Sequence, residues 1–163
     1  MTRVRRAAPA LRGLVRELWA SDGVATDRAG AGAERVLPTG LVHVVLRLGD
    51  EPLRTFESSR AIGARVHALA VVGGPRCEPY FRDVSRPVAS VGAVLAPGAT
   101  LALLGAPARE LAGVHVPLEA LWGGEVAGLR DELASAASLD ERIACLERAL
   151  AARARRSRAP GLH

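Results

Sequence analysis

Two segments in the first two thirds of the chain alternate between apolar and polar positions with the period of a β-strand. In Leu41 to Leu48 the even-numbered positions are all apolar, whereas the odd-numbered positions are mixed. The segment Arg65 to Val72 repeats the pattern. Turns at Pro38 to Gly40 and at Gly49-Asp50 bound the first segment, and Gly73 to Pro75 ends the second. A period of two places alternate side chains on opposite faces of a strand. The pattern therefore predicts two half-buried strands, and a third strand is predicted over Val88 to Leu95.

From Pro97 onward the apolar residues recur with helical spacing instead. The two clearest apolar stripes are Val126, Leu129, Leu133 and Ala137, followed by Leu139, Ile143, Leu146 and Leu150. Spacings of three and four predict two amphipathic helices. Ser138 and Glu141 stand three positions apart, as in a capping box, so the last helix is expected to begin there.

These patterns predict an α+β fold in one domain, residues 1–163. The sheet-rich part covers about residues 9–96 and forms an antiparallel β-sheet or an incomplete barrel. The helical part covers about residues 97–156, and a basic tail covers residues 153–163. A sheet with one apolar face needs such helices to cover it.

The charge is concentrated at the two ends of the chain. The formal net charge is +5, and all 22 basic residues are arginines. Five of these arginines lie in the first sixteen residues and four in the last eleven, whereas all 17 acidic residues lie from Glu17 to Glu147. The body of the domain is therefore mildly acidic, and the basic ends are interpreted as solvated termini rather than as a site for nucleic acid.

The sequence favours a cytoplasmic protein without a membrane span. The segment Pro87 to Ala108 has no charged residue, but Pro97-Gly98 interrupts its centre. Charged residues also interrupt the apolar stretch that a signal peptide would need near the N-terminus. Cys77 and Cys145 are the only cysteines, which fits neither a disulfide framework nor a paired metal motif.

Four basic side chains lie on the mixed faces of the two predicted strands. They are His43 and Arg47 in the first strand and Arg65 and His67 in the second. If the strands are neighbours, these donors line a pocket for an anionic or polar small molecule. The alternative is a half-solvated outer face of the sheet. No metal site and no cofactor are predicted, because no pair of histidines stands at ligand spacing. No catalytic constellation is predicted, because the serines lack the context of a hydrolase nucleophile and Cys77 lies beside no histidine in the sequence.

Several stretches, in their order and spacing, resemble a known family. They are Arg35 to Gly40, Val71 to Pro75, and the run Pro97-Gly98, Leu103-Leu104-Gly105, Ala108 to Leu111, Val116 to Glu119 and Leu121-Trp122-Gly123. Together they resemble the N-terminal sensing and dimerisation domain of AraC/XylS-type bacterial transcription regulators, over about residues 9–152. The chain departs from that family at Thr39 and His43, where acidic residues are usual, and at Val94 to Ala96.

The resemblance implies an effector-sensing or dimerisation domain, or both, on an antiparallel sheet or incomplete cupin-like barrel. The helix-turn-helix half is absent from this chain, so we expect no sequence-specific DNA binding by the chain alone. The expected partners are a small-molecule effector and either a second copy or a full-length regulator. The stripe Leu139, Ile143, Leu146 and Leu150 is the candidate dimerisation surface, unless it packs on the chain's own sheet. The alternative function is a small stand-alone enzyme or a cupin-like protein that binds a metal or another ligand.

Overall fold

A computed structural model describes residues 1–23, 32–58 and 63–158 of the chain. Its strands are β1 Thr2–Arg5, β2 Val15–Ser21, β3 Ala33–Val36, β4 His43–Arg47, β5 Arg54–Phe56, β6 Arg65–Val66, β7 Ala70–Gly73, β8 Tyr80–Asp83, β9 Ser90–Leu95 and β10 His115–Pro117. Its α-helices are α1 Thr100–Leu104, α2 Ala108–Leu111, α3 Leu118–Trp122, α4 Glu125–Ser135 and α5 Leu139–Arg158. The predicted α+β class is confirmed. The last residues of the predicted basic tail, 159–163, lie outside the described residues.

The described strands form two antiparallel sheets that do not close into a barrel. The larger sheet has the order β1-β2-β9-β4-β7-β10, and the smaller one has the order β3-β8-β5-β6. Strands β1 and β10 lie outside the part of the chain predicted to be rich in sheet. The edge strand β10 comes from the helical part and pairs with β7.

The segment predicted as one strand, Arg65 to Val72, is divided between the two sheets. Its first residues form β6 in the smaller sheet, and its last residues belong to β7 in the larger sheet. The three residues between them cross from one sheet to the other. Val66 is consequently 60% exposed, whereas Val72 is fully buried. The single predicted strand was wrong because a period of two does not show where a strand changes sheet.

One face of the larger sheet forms the main core beneath the helices. Val44 and Leu46 of β4 have no exposed surface, and the same is true of Leu18 in β2. Helix α5 packs across β2 and β9 on this face. The even-numbered apolar face predicted for Leu41 to Leu48 is therefore the face that the helices cover.

Helix α5 buries its apolar stripe inside its own chain. Ile143, Leu146 and Leu150 have no exposed surface, and Leu139 is partly buried. This is the alternative that the sequence left open, a helix that packs on its own sheet. In this structure the stripe is therefore not available to a second chain.

The predicted capping box at the start of α5 is present. The Ser138 hydroxyl accepts a hydrogen bond from the Glu141 amide at 3.1 Å. The Glu141 carboxylate in turn accepts a hydrogen bond from the Ala137 amide at 2.8 Å. The first bond satisfies an amide that the helix start leaves without an intrahelical partner, and the second reaches back to the residue before the capping serine.

None of the helices in residues 1–23, 32–58 and 63–158 is both long enough and apolar enough to cross a bilayer. The uncharged segment Pro87 to Ala108 instead contributes strand β9, a turn and helix α1.

Candidate functional site

The face of the larger sheet that points away from the helices carries a row of residues across five strands. Glu17 in β2 is opposite Val94 in β9, and Val94 is opposite His43 in β4. His43 is opposite Gly73 in β7, which is opposite His115 in β10. Residues directly opposite each other share a face of the sheet. His43 and His115 therefore lie on the same face, with only a glycine between them.

Gly73 leaves room for the ring of His115. A side-chain carbon at position 73 would lie 3.5 Å from both Cδ2 and Nε2 of that ring. The imidazole thus lies over the neighbouring strand at ordinary contact distance, and a larger side chain at position 73 would displace it.

The smaller sheet supplies the opposite side of the site. The ring of Tyr80, in β8, lies 5.1 Å from the ring of His115 at an angle of 73°. The ring of His67, in the crossing between β6 and β7, lies 4.7 Å from the ring of His115. These residues, with His43 and Arg76, form a half-buried group between the two sheets that we call the inter-sheet cluster.

Arg76 brings a positive charge into the inter-sheet cluster. Its guanidinium carbon lies 4.9 Å from the centre of the Tyr80 ring, in the geometry of a cation–π contact. Its terminal NH2 lies 3.1 Å from Nδ1 of His115. Its Nε is buried and has no hydrogen-bond partner among the residues that the structure describes.

The bond between Arg76 and His115 fixes the protonation of the imidazole. A guanidinium has donors only and remains protonated in proteins, so Nδ1 of His115 must accept. His115 is therefore neutral in this arrangement and carries its hydrogen on Nε2. Protonation of His115 would require this bond to break.

Burial keeps the histidines of the cluster uncharged near neutral pH. Burial is the main cause that lowers the pKa of His115 from 6.5 to about 4. The nearby His67, Arg76 and His43 act in the same direction. Burial also lowers the pKa of His67, with help from Arg76 and Arg65.

His43 differs from the other two histidines because it faces a carboxylate. Burial lowers the pKa of His43, while the charge of Glu17 opposes that shift. Its Nε2 lies 3.0 Å from the Thr39 hydroxyl. His67 makes a similar contact, with Nε2 lying 2.8 Å from the Thr55 hydroxyl. Each hydroxyl holds an imidazole in place as donor or acceptor.

The structure brings two of the four predicted ligand residues together and separates the other two from them. His43 and His67 both belong to the inter-sheet cluster. Arg47 lies four residues along β4, about 13 Å away at the rise of a strand, and donates to the Glu51 carbonyl at 2.7 Å. Arg65 is 72% exposed at its side chain and pairs with Glu57 at 2.7 Å.

Arg47 lines a separate small pocket of about 120 Å³ near the β4–β5 connection. The charged residues Glu51, Arg54, Asp83 and Arg86 share that pocket. An acidic and a basic residue of this set, Glu51 and Arg86, already pair with each other. Three arginines and two carboxylates thus line this pocket, and Arg47 itself bonds a backbone carbonyl there.

Sequence reasoning missed His115, Arg76 and Tyr80. His115 stands in a strand of three residues, too short for a pattern, and its partner strand β7 lies far away in the sequence. Arg76 and Tyr80 follow a turn and carry no periodic signal. The sequence could suggest them only after the pairing of β10 with β7 was known.

A larger open pocket, of about 350 Å³, lies next to helices α4 and α5. Its lining includes Leu48, Pro87, Val88 and Arg142, and the Nε of Arg142 is buried without a partner. This pocket also has Asp50 and Glu51 in its lining, so it gathers three charged side chains where the inter-sheet cluster gathers five polar ones. For a specific small molecule, convergent polar groups matter as much as volume.

The described residues contain no group of three or more histidine, cysteine, aspartate or glutamate side chains that could hold a metal ion. In those same residues, no carboxylate is hydrogen bonded to the second ring nitrogen of His43 or His67. A Ser-His-Asp type of site requires that third group.

A protein-family model described as a domain of unknown function (DUF6597) matches residues 3–117. The matched range runs from β1 to β10 and includes every residue of the inter-sheet cluster. No curated protein and no solved structure matches the chain.

Proposed function

We propose that this chain, which belongs to the family described as a domain of unknown function (DUF6597), is the effector-sensing module of an AraC-type transcription regulator. The resemblance of Arg35 to Gly40, Val71 to Pro75 and Pro97 to Gly123 to such regulators supports the proposal. In this proposal the protein acts in the cytoplasm. A small molecule binds between the two sheets, and its binding changes how the helices are held.

The observation that carries this proposal is the inter-sheet cluster. Three imidazoles, a phenol and a guanidinium converge between the sheets, and the Nε of Arg76 has no partner there. Burial of polar groups without full hydrogen bonding costs stability. A purely structural face would be more stable with apolar residues, so a binding role explains the cluster better.

The proposed path from the ligand to the helices runs through the strands of the larger sheet. In β4, His43 belongs to the cluster, while the adjacent Val44 belongs to the core beneath the helices. Helix α5 packs on β9, the direct neighbour of β4. A shift of β4 on ligand binding therefore acts on the surface that supports α5.

Self-association is the second part of the proposed function. The apolar stripe of α5 is buried in the chain itself, so we propose no particular surface for self-association. The expected partner remains a second copy or a full-length regulator. Sequence-specific DNA contact is not part of the proposal for this chain. At the C-terminal end of α5, Arg153 and Arg156 pair with Glu125, which reduces the charge free for phosphates.

The function is tested by joining the chain to a DNA-binding domain that represses a reporter gene only as a dimer. We expect the fusion to repress about tenfold or more over the isolated DNA-binding domain, as a gain of effective dimer affinity would produce. Members of a metabolite library should then change repression by the wild type. The same compounds should have no effect on a fusion that carries Arg76→Gln.

Arg109→Gln is the matched control, because the Arg109 side chain is 82% exposed and lies outside the inter-sheet cluster. The control fusion should respond to the library like the wild type. A chain that sediments as a monomer at high micromolar concentration, does not repress and responds to no compound would contradict the proposed function.

A further inference from the structure

We propose that the inter-sheet cluster binds a small organic carboxylate, with Arg76 as the cation that anchors it. This ligand class rests on the proposed sensing function, which names only a small molecule. The inference also assigns the binding role to Arg76 and His115, rather than to the Arg47 and Arg65 side chains predicted from the sequence.

The first argument is the charge balance around the cluster. Arg82 pairs with Glu34 at 2.6 Å, and Arg65 pairs with Glu57 at 2.7 Å. Arg76, by contrast, has no carboxylate within ion-pair distance in the described part of the chain, and its hydrogen bond goes to a neutral imidazole. A half-buried guanidinium that has no anionic partner strongly attracts an anionic ligand.

The second argument is the shape of the surrounding groups. The Tyr80 ring supports the flat guanidinium of Arg76, and the rings of His67 and His115 pack beside it. A planar fork of donors matches a planar carboxylate with two parallel hydrogen bonds. The aromatic rings offer contact area for the body of the ligand. A phosphate group carries more charge and would need further cations that the cluster does not supply.

The third argument links ligand binding to a proton. A carboxylate that accepts from Nε and Nη2 of Arg76 competes with Nδ1 of His115 for Nη2, the donor that now holds the imidazole neutral. The new negative charge also favours the imidazolium, which can then donate to the ligand. Binding should therefore be accompanied by proton uptake and should strengthen as the pH falls.

The charged and titratable groups that face this imidazole come from several elements. His67, His43, Arg76 and Tyr80 lie around His115 itself. In addition, the charge of Glu17 acts on the pKa of His43, the charge of Arg65 acts on the pKa of His67, and the charges of Arg82 and Glu34 act on the pKa of Tyr80. Of these groups, only the imidazoles titrate between pH 5 and 8 at their ordinary pKa values.

The test is calorimetric titration of the whole chain with benzoate and with benzamide, its neutral isostere. We expect saturable binding of benzoate and at least about tenfold weaker binding of benzamide, because a charged hydrogen bond is lost. Arg76→Gln should weaken benzoate binding by about tenfold or more, whereas Arg109→Gln should leave it unchanged. Binding should be several-fold tighter at about pH 5.5 than at about pH 7.5, and the heat should vary with the ionisation enthalpy of the buffer.

Circular dichroism of Arg76→Gln shows whether the variant still folds, and Arg76→Lys keeps the charge while it removes the planar fork. We expect Arg76→Lys to bind benzoate more weakly than the wild type but more tightly than Arg76→Gln. Absence of saturable benzoate binding would overturn the inference. So would equal binding by a folded Arg76→Gln, equal binding of benzamide, or tighter binding of inorganic phosphate than of benzoate.

These outcomes are distinct from failure of the proposed function. If the reporter fusion responds to a neutral compound while benzoate does not bind, the carboxylate inference fails and the sensing function stands. If benzoate binds through Arg76 while the fusion neither dimerises nor responds, the sensing function fails and the carboxylate site stands.

Discussion

The protonation state of His115 is constrained by one hydrogen-bond donor, the guanidinium of Arg76. Nδ1 accepts from Arg76, and the ring packs between His67 and Tyr80, so the neutral form is the one that fits. Burial acts in the same direction on the pKa. The cluster thus holds an imidazole that is uncharged when free and can become charged when an anion arrives.

This constraint predicts how stability depends on pH. The pKa of His115 falls from 6.5 in the unfolded chain to about 4 in the folded one. Between those values the unfolded state binds the extra proton, so the free energy of unfolding decreases as the pH falls through this window. Allowing for partial solvent access, we expect His115 to contribute about 1 to 2 kcal/mol to that decrease.

The measurement is urea unfolding of the wild type and of His115→Gln at about pH 7 and about pH 5. Glutamine keeps an oxygen that can accept from Arg76 but does not titrate. The variant should therefore lose less stability on acidification than the wild type. Parallel losses in the two proteins would show that His115 does not have the expected pKa.

At the scale of elements, two glycines differ in the space that their surroundings leave for a side chain. Gly74 follows β7, and a side-chain carbon there would lie 1.5 Å from the carbonyl oxygen of Leu111. Its amide also donates to the Val114 carbonyl at 2.9 Å, which fixes the approach of the segment before β10. Gly128 lies within α4, on its exposed face, with open space around it.

Alanine at these two positions should therefore have opposite effects on stability. Gly74→Ala should cost more than about 3 kcal/mol, because two backbone segments would have to move apart. Gly128→Ala should add about 0.5 to 1 kcal/mol, because alanine favours a helix over glycine. Urea unfolding of both variants checks this. A Gly74→Ala protein as stable as the wild type would show that the two segments are not in close contact.

The elements also show what can be read from sequence. The strand at Leu41 to Leu48 and the capping box at Ser138 were predicted because each depends on neighbours within a few residues. The crossing between β6 and β7 was missed, because the choice of sheet depends on partners far away in the chain. For the same reason the sequence could not show that Arg47 and Arg65 lie apart from the inter-sheet cluster. His43 and Arg47 share a face of β4, but only His43 lies in the row that leads to His115.

At the scale of the whole molecule, the larger sheet separates two environments. The helix-covered face is fully apolar, and the opposite face carries the inter-sheet cluster. Single strands contribute to both faces, since successive side chains alternate. The N-terminal segment is also tied to α5, because the Glu147 carboxylate accepts from the Ala8 amide at 2.6 Å and from Arg5 at 2.8 Å. Helix α5 is thus part of the same packed unit as the sheet.

This position of α5 leads to a prediction that separates core packing from dimerisation. Leu146 has no exposed surface, so Leu146→Ala should cost about 2 to 5 kcal/mol of folding stability. Leu146→Glu should abolish the fold altogether, because it buries a charge without a partner. On the outer face of the same helix, Arg148 forms an exposed ion pair with Glu132 at 2.7 Å. Arg148→Gln should therefore change stability by less than about 1 kcal/mol.

Circular dichroism combined with sedimentation of the three variants provides the measurement. If Leu146 instead formed a contact between two copies, Leu146→Glu would give a folded monomer from a dimeric wild type. Burial inside the chain predicts loss of helical signal in Leu146→Glu and an unchanged oligomeric state in Arg148→Gln. A folded, monomeric Leu146→Glu would contradict the packing of α5 on its own sheet. That result would indicate that the stripe Leu139, Ile143, Leu146 and Leu150 forms a dimer interface.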